Sequence, residues 1–348
     1  MNKKVAIDCS KLDSEYQTGT HRFLICFLNE LTKNKGFEFY FYTNSTNTNL
    51  KKHLFSQRGS IISLRNRPLY TQLGLLKEIG SYDYFIFPWQ TMPFLSLFSK
   101  TKKISIIHDT GYSFISKITT FLTLLISNQL FSVSLSTAKK LFRKSIIISE
   151  GVDSSIFYPI DSLELKKFRK DLDIPDFFIL SLGRIEKRKN IYNNLSAFAQ
   201  IKKYYPNLKY IFIGKFIDDE NKIYSFIKSL DLNRGDILFK NNINDADLNI
   251  YLNCMEFLVF TSFEEGFGLP VLESYSVYKP VILSKIEQLA EFNLSANQYV
   301  DPKDIEKISE KMVFFLRKQY NFSKKDYKVV LSKFSWKNSS DIFLKNLN

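Results

Sequence analysis

The sequence predicts an α/β protein made of two doubly wound domains, each with a parallel sheet that is covered by helices. Short runs rich in Ile, Val and Phe alternate with longer segments of helical period along the chain of 348 residues. Several of these runs show little alternation of apolar and polar residues, which is typical of parallel strands buried on both faces. The alternating series starts twice at similar size, so two domains are expected.

The two series predict the element order in more detail. The predicted strands are 5–8, 37–42, 84–87, 104–107, 131–135 and 146–148, then 177–182, 210–213, 237–239, 257–260 and 281–283. The predicted helices are 22–33, then 191–204, 219–230, 245–253, 270–277 and 304–318. A turn at 153–159 that ends in Pro159 interrupts both patterns. We therefore predict domains over 1–155 and 156–325, followed by a C-terminal helix over 326–348.

The composition is that of an ordinary folded protein. Hydrophobic residues make up 45% and charged residues 24%, which excludes a disordered or fibrous chain. Cys9, Cys26 and Cys254 lie far apart and form no CxxC pair, which supports neither a disulfide framework nor a zinc knot. The first residues, MNKKVAID, run into a strand without an apolar signal core. A cytoplasmic protein is expected.

Positive charge is concentrated in the first half of the chain. The formal net charge is +14, and residues 1–155 hold 20 Lys and Arg against 10 Asp and Glu. Such a surface suits nucleic acid, an anionic leaflet or an anionic substrate, and its sign does not choose among them.

The most apolar long stretch, 118–135, is interrupted by Asn128 and Gln129, so it predicts a buried or interfacial helix and not a membrane span. Basic residues follow it at Lys139, Lys140, Arg143 and Lys144. Two interpretations stay open: peripheral attachment to a membrane, or a packed helix with a solvated basic end.

The segment after the predicted strand 257–260 has the features of a phosphate-binding turn. Gly266 and Gly268 permit a close backbone approach and positive φ, and Pro270 suits the first turn of a helix. The free amides of a helix start attract anions. Glu265 and Glu273 flank this turn. A Gly-rich structural turn with a capping Glu is the alternative.

A second cluster, Gly-Arg-Ile-Glu-Lys-Arg-Lys-Asn at 183–190, follows the predicted strand 177–182. Its four cations suit a diphosphate, because Arg offers a planar fork and Lys a point charge. A run of charge is often only a solvated face. Its position at the carboxyl end of a buried strand favours the binding interpretation.

Together these segments resemble the retaining glycosyltransferases of family 4, which have the GT-B fold. The family has a Gly-Arg turn, a Lys-Asn pair, and two Glu residues separated by seven residues around Gly-Phe-Gly-Leu-Pro. The matching residues are Gly183 with Arg184, Lys189 with Asn190, and Glu265 with Glu273. The resemblance implies two Rossmann-like domains facing across a cleft, with a last helix, beginning near 334–336, that crosses back to the first domain.

The first domain carries three further matches, at 19–22 (GTHR), 108–109 (HD) and 150–153 (EGVD). His21 replaces a glycine of the family's Gly-rich loop, and Glu150 replaces an Asn. The first departure puts the phosphate contact of that loop in doubt.

The resemblance also implies roles for individual residues. The implied catalytic residues are Arg184, Lys189, Glu265 and His108, and the implied donor-binding residues are Gly19, Gly183, Ile243, Gly266, Phe267, Gly268, Leu269 and Glu273. The two cations would neutralise the diphosphate, Glu273 would accept hydrogen bonds from the ribose, and Glu265 and His108 would hold sugar hydroxyls. The family uses no divalent metal, so neither a metal nor a cofactor is expected.

The implied function is transfer of a hexosyl unit, with retention, from a UDP- or GDP-hexose to a saccharide acceptor in bacterial surface polysaccharide, lipopolysaccharide (O-antigen) or capsule synthesis. The acceptor would lie against the first domain and be lipid-linked at the anionic inner leaflet; nucleic acid is not an expected partner. The alternatives are a sugar-nucleotide epimerase of the same architecture, a basic nucleic-acid-binding protein and a noncatalytic sugar-binding relative.

Overall fold

The computed structural model describes residues 2–13, 19–44, 59–65, 69–109, 114–241 and 243–347. The chain forms two compact units: unit 1 contains residues 1–150 and 334–348, and unit 2 contains residues 151–333. Each unit is built around one parallel sheet with helices, so the predicted α/β class with two doubly wound sheets is confirmed.

The described part of unit 1 forms a seven-stranded sheet in the order β3-β2-β1-β4-β5-β6-β7. Its strands are β1 (Lys3–Asp8), β2 (Phe37–Thr43), β3 (Gly59–Ser63), β4 (Tyr84–Phe87), β5 (Lys102–Ile107), β6 (Gln129–Ser132) and β7 (Ile146–Ile147). Its first four helices are α1 (Gly19–Leu31), α2 (Leu75–Glu78), α3 (Phe114–Ile126) and α4 (Leu135–Lys139). The central strands are buried on both faces, as their continuous apolar runs predict.

The described part of unit 2 forms a six-stranded sheet in the order β10-β9-β8-β11-β12-β13. Its strands are β8 (Phe178–Leu182), β9 (Lys209–Ile213), β10 (Ile237–Lys240), β11 (Leu258–Phe260), β12 (Val281–Ser284) and β13 (Tyr299–Val300). Its helices are α5 (Ser162–Asp171), α6 (Ile191–Lys202), α7 (Glu220–Ser229), α8 (Asp245–Cys254), α9 (Leu269–Ser276), α10 (Ile305–Leu316) and α11 (Lys324–Lys333).

Each sheet has one point at which the strand order reverses. In unit 1 it lies between β1 and β4, and in unit 2 it lies between β8 and β11. Loops that leave two neighbouring strands at such a point run in opposite directions, which opens a crevice at the carboxyl ends of the strands. The two segments that the sequence singled out, 183–190 and 261–273, follow β8 and β11 and therefore border the crevice of unit 2.

Short polar side chains set where several helices of unit 2 begin. The side chains of Asp161, Asp219, Asn244 and Asp304 each accept a hydrogen bond from a backbone amide in the first turn of α5, α7, α8 and α10. These amides have no partner within their helix, so the cap fixes the first residue of each helix.

The stretch 118–135 is not one helix, which corrects the prediction. α3 ends at Ile126, and β6 follows at Gln129–Ser132, not at the predicted 131–135. The Asn128 side chain accepts a hydrogen bond from the backbone amide of Lys103 on β5 at 2.8 Å, which draws the chain into the sheet. Among the described residues, no helix is long and apolar enough to cross a membrane.

The change from unit 1 to unit 2 occurs after residue 150, whereas the sequence predicted it after 155. The segment after residue 150 makes its hydrogen bonds with unit 2. The side-chain oxygens of Asn249 and Asn253 on α8 accept hydrogen bonds from the backbone amides of Tyr158 and Ile160, at 3.2 and 2.9 Å. Apolar patterning does not reveal such side-chain-to-backbone contacts.

The second boundary lies at 333/334, not at the predicted 325/326. Helix α11 belongs to unit 2, because the Tyr327 ring packs 5.3 Å from the ring of Tyr275 on α9. Of the predicted C-terminal segment 326–348, the helix that belongs to unit 1 is α12 (Trp336–Lys345).

Helix α12 packs against α1 through aromatic side chains. The Trp336 ring lies 5.4 Å from Phe23, and the Phe343 ring lies 5.2 Å from Phe27 and 4.5 Å from Phe131 on β6. Phe343 is fully buried. The C-terminal helix therefore completes the core of the first unit, as the family resemblance implied.

We predict that Phe343→Ala lowers the free energy of unfolding of unit 1 by about 3–5 kcal/mol, because it leaves a cavity between α1 and β6. Tryptophan fluorescence during urea unfolding measures this unit selectively, since both tryptophans, Trp89 and Trp336, lie in it. Ile342→Ala is the matched control, because Ile342 is 40% exposed on the same helix. Equal losses for the two variants would contradict the packing described.

Candidate functional site

The chain leaves β8 through a glycine that lets it turn sharply. Gly183 has a φ of +127°, a conformation that residues with a β-carbon rarely adopt. A β-carbon at this position would lie 3.3 Å from Cε of Lys189. The turn thus places the backbone at the end of β8 directly against the Lys189 side chain, which ends a short 3-10 helix at 187–189.

Lys189 joins the two loops of the crevice. Its Nζ lies 2.6 Å from Oε1 of Glu265, and both side chains are largely buried. The same ammonium lies 5.0 Å from the centre of the Phe260 ring at the end of β11. A buried ion pair of this kind fixes the relative position of the two loops, because separating it would leave a charge in the interior.

Arg188 makes the second connection between the loops. Its Nη1 donates a hydrogen bond to the backbone carbonyl of Glu264 at 2.7 Å and lies 3.6 Å from Oε2 of Glu265. The backbone amide of Phe263 donates in return to the carbonyl of Arg188 at 3.0 Å. Glu265 is therefore held by two cations from the β8 loop.

Glu186 is a member of the site that sequence reasoning missed. Its Oε1 accepts hydrogen bonds from Nε and Nη2 of Arg188, at 3.0 and 2.8 Å, and lies 3.3 Å from Nη2 of Arg184. Its position inside a run of cations was the available signal. Glu186 holds the two guanidinium groups together, while Arg184 keeps 42% of its side chain exposed.

The carboxyl group of Glu265 is ionised. Burial acts to raise its pKa, but the charges of Lys189 and Arg188 and hydrogen bonds from Lys189 and Ser262 outweigh burial and lower it. The group therefore accepts hydrogen bonds at neutral pH and has no proton to donate.

The loop after β11 ends in the helix start that the sequence predicted. Gly268, with a φ of +131°, precedes α9, and Pro270 occupies its first turn. Phe267 and Leu269 on either side are buried. Glu273, the fifth residue of α9, is also buried.

In unit 1, His108 follows β5 and is nearly enclosed. Its Nδ1 lies 3.8 Å from Oε1 of Glu150, and its ring packs edge-on against Phe23 at 4.6 Å. Burial lowers the pKa of His108 to about 4, opposed in part by the charge of Asp109 and a hydrogen bond to the backbone of Pro88. The imidazole is neutral at pH 7.

One ring nitrogen of His108, Nε2, is buried and has no hydrogen-bond partner within the described ranges. A hydroxyl group can both donate to and accept from a ring nitrogen, so it suits this position in either tautomer.

Gly19, which begins the predicted Gly-rich loop 19–22, is the first residue of α1, so this helix begins three residues before the predicted Arg22. Nε2 of His21 lies 2.6 Å from the carbonyl oxygen of Lys11. Ile243 follows β10, two strands away from β8 in the sheet.

The structure therefore brings Gly183, Arg184, Lys189 and Glu265 together in unit 2, with Gly266–Leu269 in the same loop as Glu265. Gly19 and His108 are in unit 1. No group of His, Cys, Asp and Glu side chains in the described ranges is arranged to hold a metal ion.

Cations in the crevice where the strand order of a parallel sheet reverses are typical of α/β proteins that bind anionic ligands, and the comparisons with known proteins show what the chain resembles. Residues 164–329 match the model of the glycosyl transferases group 1. The matched segment makes up most of unit 2. The predicted relationship is confirmed.

Similarity to characterised proteins extends beyond this segment. The chain is 28% identical over 232 residues to the serotype-specific mannosyltransferase WbdA of Escherichia coli. The aligned region covers 62% of this chain and 28% of WbdA. It is 32% identical over 109 residues to an N-acetylgalactosamine-N,N'-diacetylbacillosaminyl-diphospho-undecaprenol 4-alpha-N-acetylgalactosaminyltransferase of Campylobacter jejuni. This second aligned region covers 31% of this chain and 28% of the relative. The chain thus spans under a third of the length of these curated relatives.

A solved structure matches the whole chain. Anabaena Alr3699/HepE, crystallised in complex with UDP-glucose, superposes with a TM-score of 0.81 over 99% of each chain at 15% identity. This likeness confirms the predicted two-domain fold.

We predict that the stability of unit 1 decreases as pH falls from about 6.5 towards about 4, because the unfolded chain protonates His108 there and the folded chain does not. The depressed pKa corresponds to a loss of up to about 3 kcal/mol. The His108→Gln variant lacks this contribution, so its stability falls less over the same range. Urea unfolding followed by tryptophan fluorescence measures both proteins, and parallel pH profiles would contradict the prediction.

Proposed function

We propose that this chain is a glycosyltransferase that transfers a hexosyl unit from a nucleoside-diphosphate sugar to a saccharide acceptor in bacterial surface polysaccharide synthesis. The observation that carries this proposal is the cluster at the β8/β11 crevice. There Lys189 pairs with the carboxylate of Glu265, Arg184 lies beside Glu186 in the same loop as Lys189, and the loop that carries Glu265 leads into the start of α9. These groups match the charges of a diphosphate and the hydroxyls of a sugar.

The chemistry needs charge stabilisation more than proton transfer. When the anomeric bond breaks, negative charge accumulates on the departing diphosphate. Arg184 and Lys189 neutralise that charge together with the amides after Gly268, and such preorganised groups are often the largest catalytic contribution. We propose that the reaction proceeds in this way without a metal or cofactor.

Glu265 acts in this proposal as a binding group for sugar hydroxyls. Its carboxylate is engaged by Lys189 at 2.6 Å and by Arg188 at 3.6 Å, which favours an anchored acceptor over a covalent nucleophile. Retention would then follow from attack on the face that the leaving group vacates. Glu273 accepts hydrogen bonds from the ribose, and neutral His108 orients a sugar hydroxyl.

The names of the relatives favour particular substrates. WbdA is a mannosyltransferase, which supports a mannosyl donor among the hexoses. The name of the Campylobacter relative contains a diphospho-undecaprenol saccharide, which supports a lipid-linked acceptor. We propose a cytoplasmic enzyme that works on such an acceptor at the inner face of the membrane.

A donor panel tests the reaction class. Purified chain is incubated with UDP- and GDP-hexoses and N-acetylhexosamines, and binding and slow release of nucleoside diphosphate are measured. We expect one nucleotide sugar, with GDP-mannose favoured, to bind and to be hydrolysed faster than the others. No binding of any nucleoside diphosphate, together with steep salt-dependent binding of DNA or RNA, would reject the proposal.

Substitutions in the β8 loop test the roles of its cations. We expect Arg184→Ala to reduce turnover by about 10²–10³ without changing the melting temperature, because this side chain is well exposed. Lys187→Ala is the matched control: it removes an equal charge from an exposed side chain of the same loop, and its turnover should change less than threefold. Lys189→Ala should also abolish turnover, but it uncovers a buried carboxylate, so its unfolding curve is measured as well. Unchanged turnover in Arg184→Ala would refute the assigned role.

A further inference from the structure

One surface of unit 1 exposes an unusual number of large apolar side chains. They come from the 3-10 helix Phe94–Phe98, from α3 and from the turn after α4. We call this set the apolar face; its members are Phe94, Leu95, Leu97, Phe98, Phe114, Ile115, Ile118, Phe121, Leu125 and Phe142. Phe98 is 82% exposed and Ile115 is 74% exposed, so these side chains are surface residues and not partly exposed members of the core.

Helix α3 exposes most of its apolar side chains, unlike an ordinary helix at the surface of a water-soluble domain. It buries Thr120, Thr123 and Leu124 against the unit, and Oγ1 of Thr123 donates to the carbonyl of Gln90 at 3.0 Å. On the opposite side it exposes Phe121 and the other apolar side chains of its stripe. A surface helix of a water-soluble domain shows the reverse arrangement. The outer side of α3 is therefore suited to an apolar environment.

The apolar face is continuous across its three segments. The 3-10 helix at 94–98 packs beside α3. The Phe142 ring lies 5.3 Å from the ring of Phe121 on α3. Contiguous exposed apolar surface of this extent marks a binding surface.

The charges around the apolar face select the partner. Between residues 90 and 145 the sequence contains a single acidic residue, Asp109. The exposed basic side chains in the same stretch include Lys100, Lys117, Lys139, Lys140 and Lys144. A second copy of the chain seated here would bring these cations together. Anionic lipid headgroups would instead neutralise them.

We propose that the apolar face docks on an anionic lipid bilayer. Helix α3 has 13 residues, or about 20 Å, too short for a hydrocarbon core of roughly 30 Å, so it lies in the plane of the interface. Its apolar stripe enters the acyl boundary, and the lysines extend to the phosphate level. This surface goes beyond sugar transfer and does not depend on it, so its test and the donor panel can fail separately.

Co-sedimentation of the full chain with vesicles tests the docking surface. The vesicles are phosphatidylcholine alone, or phosphatidylcholine mixed with phosphatidylglycerol, at about 0.1 M and about 1 M salt. We expect binding to the anionic vesicles that weakens at high salt. The double variant Phe98→Ser/Ile115→Ser should bind roughly tenfold more weakly. Lys117→Gln/Lys140→Gln should lose the preference for anionic lipid.

The matched control is Leu163→Ser, which removes an apolar side chain, 76% exposed, from a helix of unit 2. Its vesicle binding should equal that of the unmodified chain. Two results would overturn the inference: vesicle binding that neither double variant changes, or a dimer in light scattering that Phe98→Ser/Ile115→Ser dissociates. The second result would assign the apolar face to self-association.

Discussion

The ion pair between Lys189 and Glu265 is the contact on which the candidate site depends. It ties the loop after β8 to the loop after β11, the two strands between which the order of the second sheet reverses. Arg188 strengthens the same link by binding both Glu265 and the backbone of Glu264. The positions of Arg184, Glu186 and the start of α9 all follow from how these two loops are joined.

The same contact explains how one crevice serves two parts of a ligand. In the proposed donor complex, the cations of the β8 loop would face the charge of a diphosphate, and the carboxylate that fixes them would accept hydrogen bonds from hydroxyl groups. A buried ion pair costs desolvation, and it persists where the geometry and further hydrogen bonds compensate for that cost. Here Ser262 and Arg188 supply those further contacts.

Much of the fold could be predicted from sequence because buried parallel strands leave continuous apolar runs. The strands at the centre of each sheet were found in this way. The edge strands β3 and β13 were not, since Gly59–Ser63 and Tyr299–Val300 lack a continuous run of buried apolar residues. The limits of the units also escaped prediction, because Asn249 and Asn253 bind the preceding segment through its backbone, and a backbone contact has no sequence pattern.

The site could be predicted to the level of its loops and less well to the level of single contacts. The spacing of Glu265 and Glu273 and the cations at 184–189 indicated the two loops that the Lys189–Glu265 ion pair joins. The pairing of Glu186 with two arginines, and the lowered pKa of His108, depend on burial and distance, which spacing does not give. For the stretch 118–135 the sequence left a buried and an interfacial helix open, because apolar content alone does not show which side of a helix meets the core.

The return of α12 to the first unit has a consequence for how the protein is made. Unit 2 is inserted between the two parts of unit 1, and Phe343 fills the space beside Phe27 and Phe131. During synthesis on the ribosome, residues 1–150 emerge well before α12 and cannot close their core until it arrives. All strands of unit 2 have been synthesised by then, so unit 2 can fold before unit 1. Residues 1–150 still lack the Phe343 side chain that fills the space beside Phe27 and Phe131.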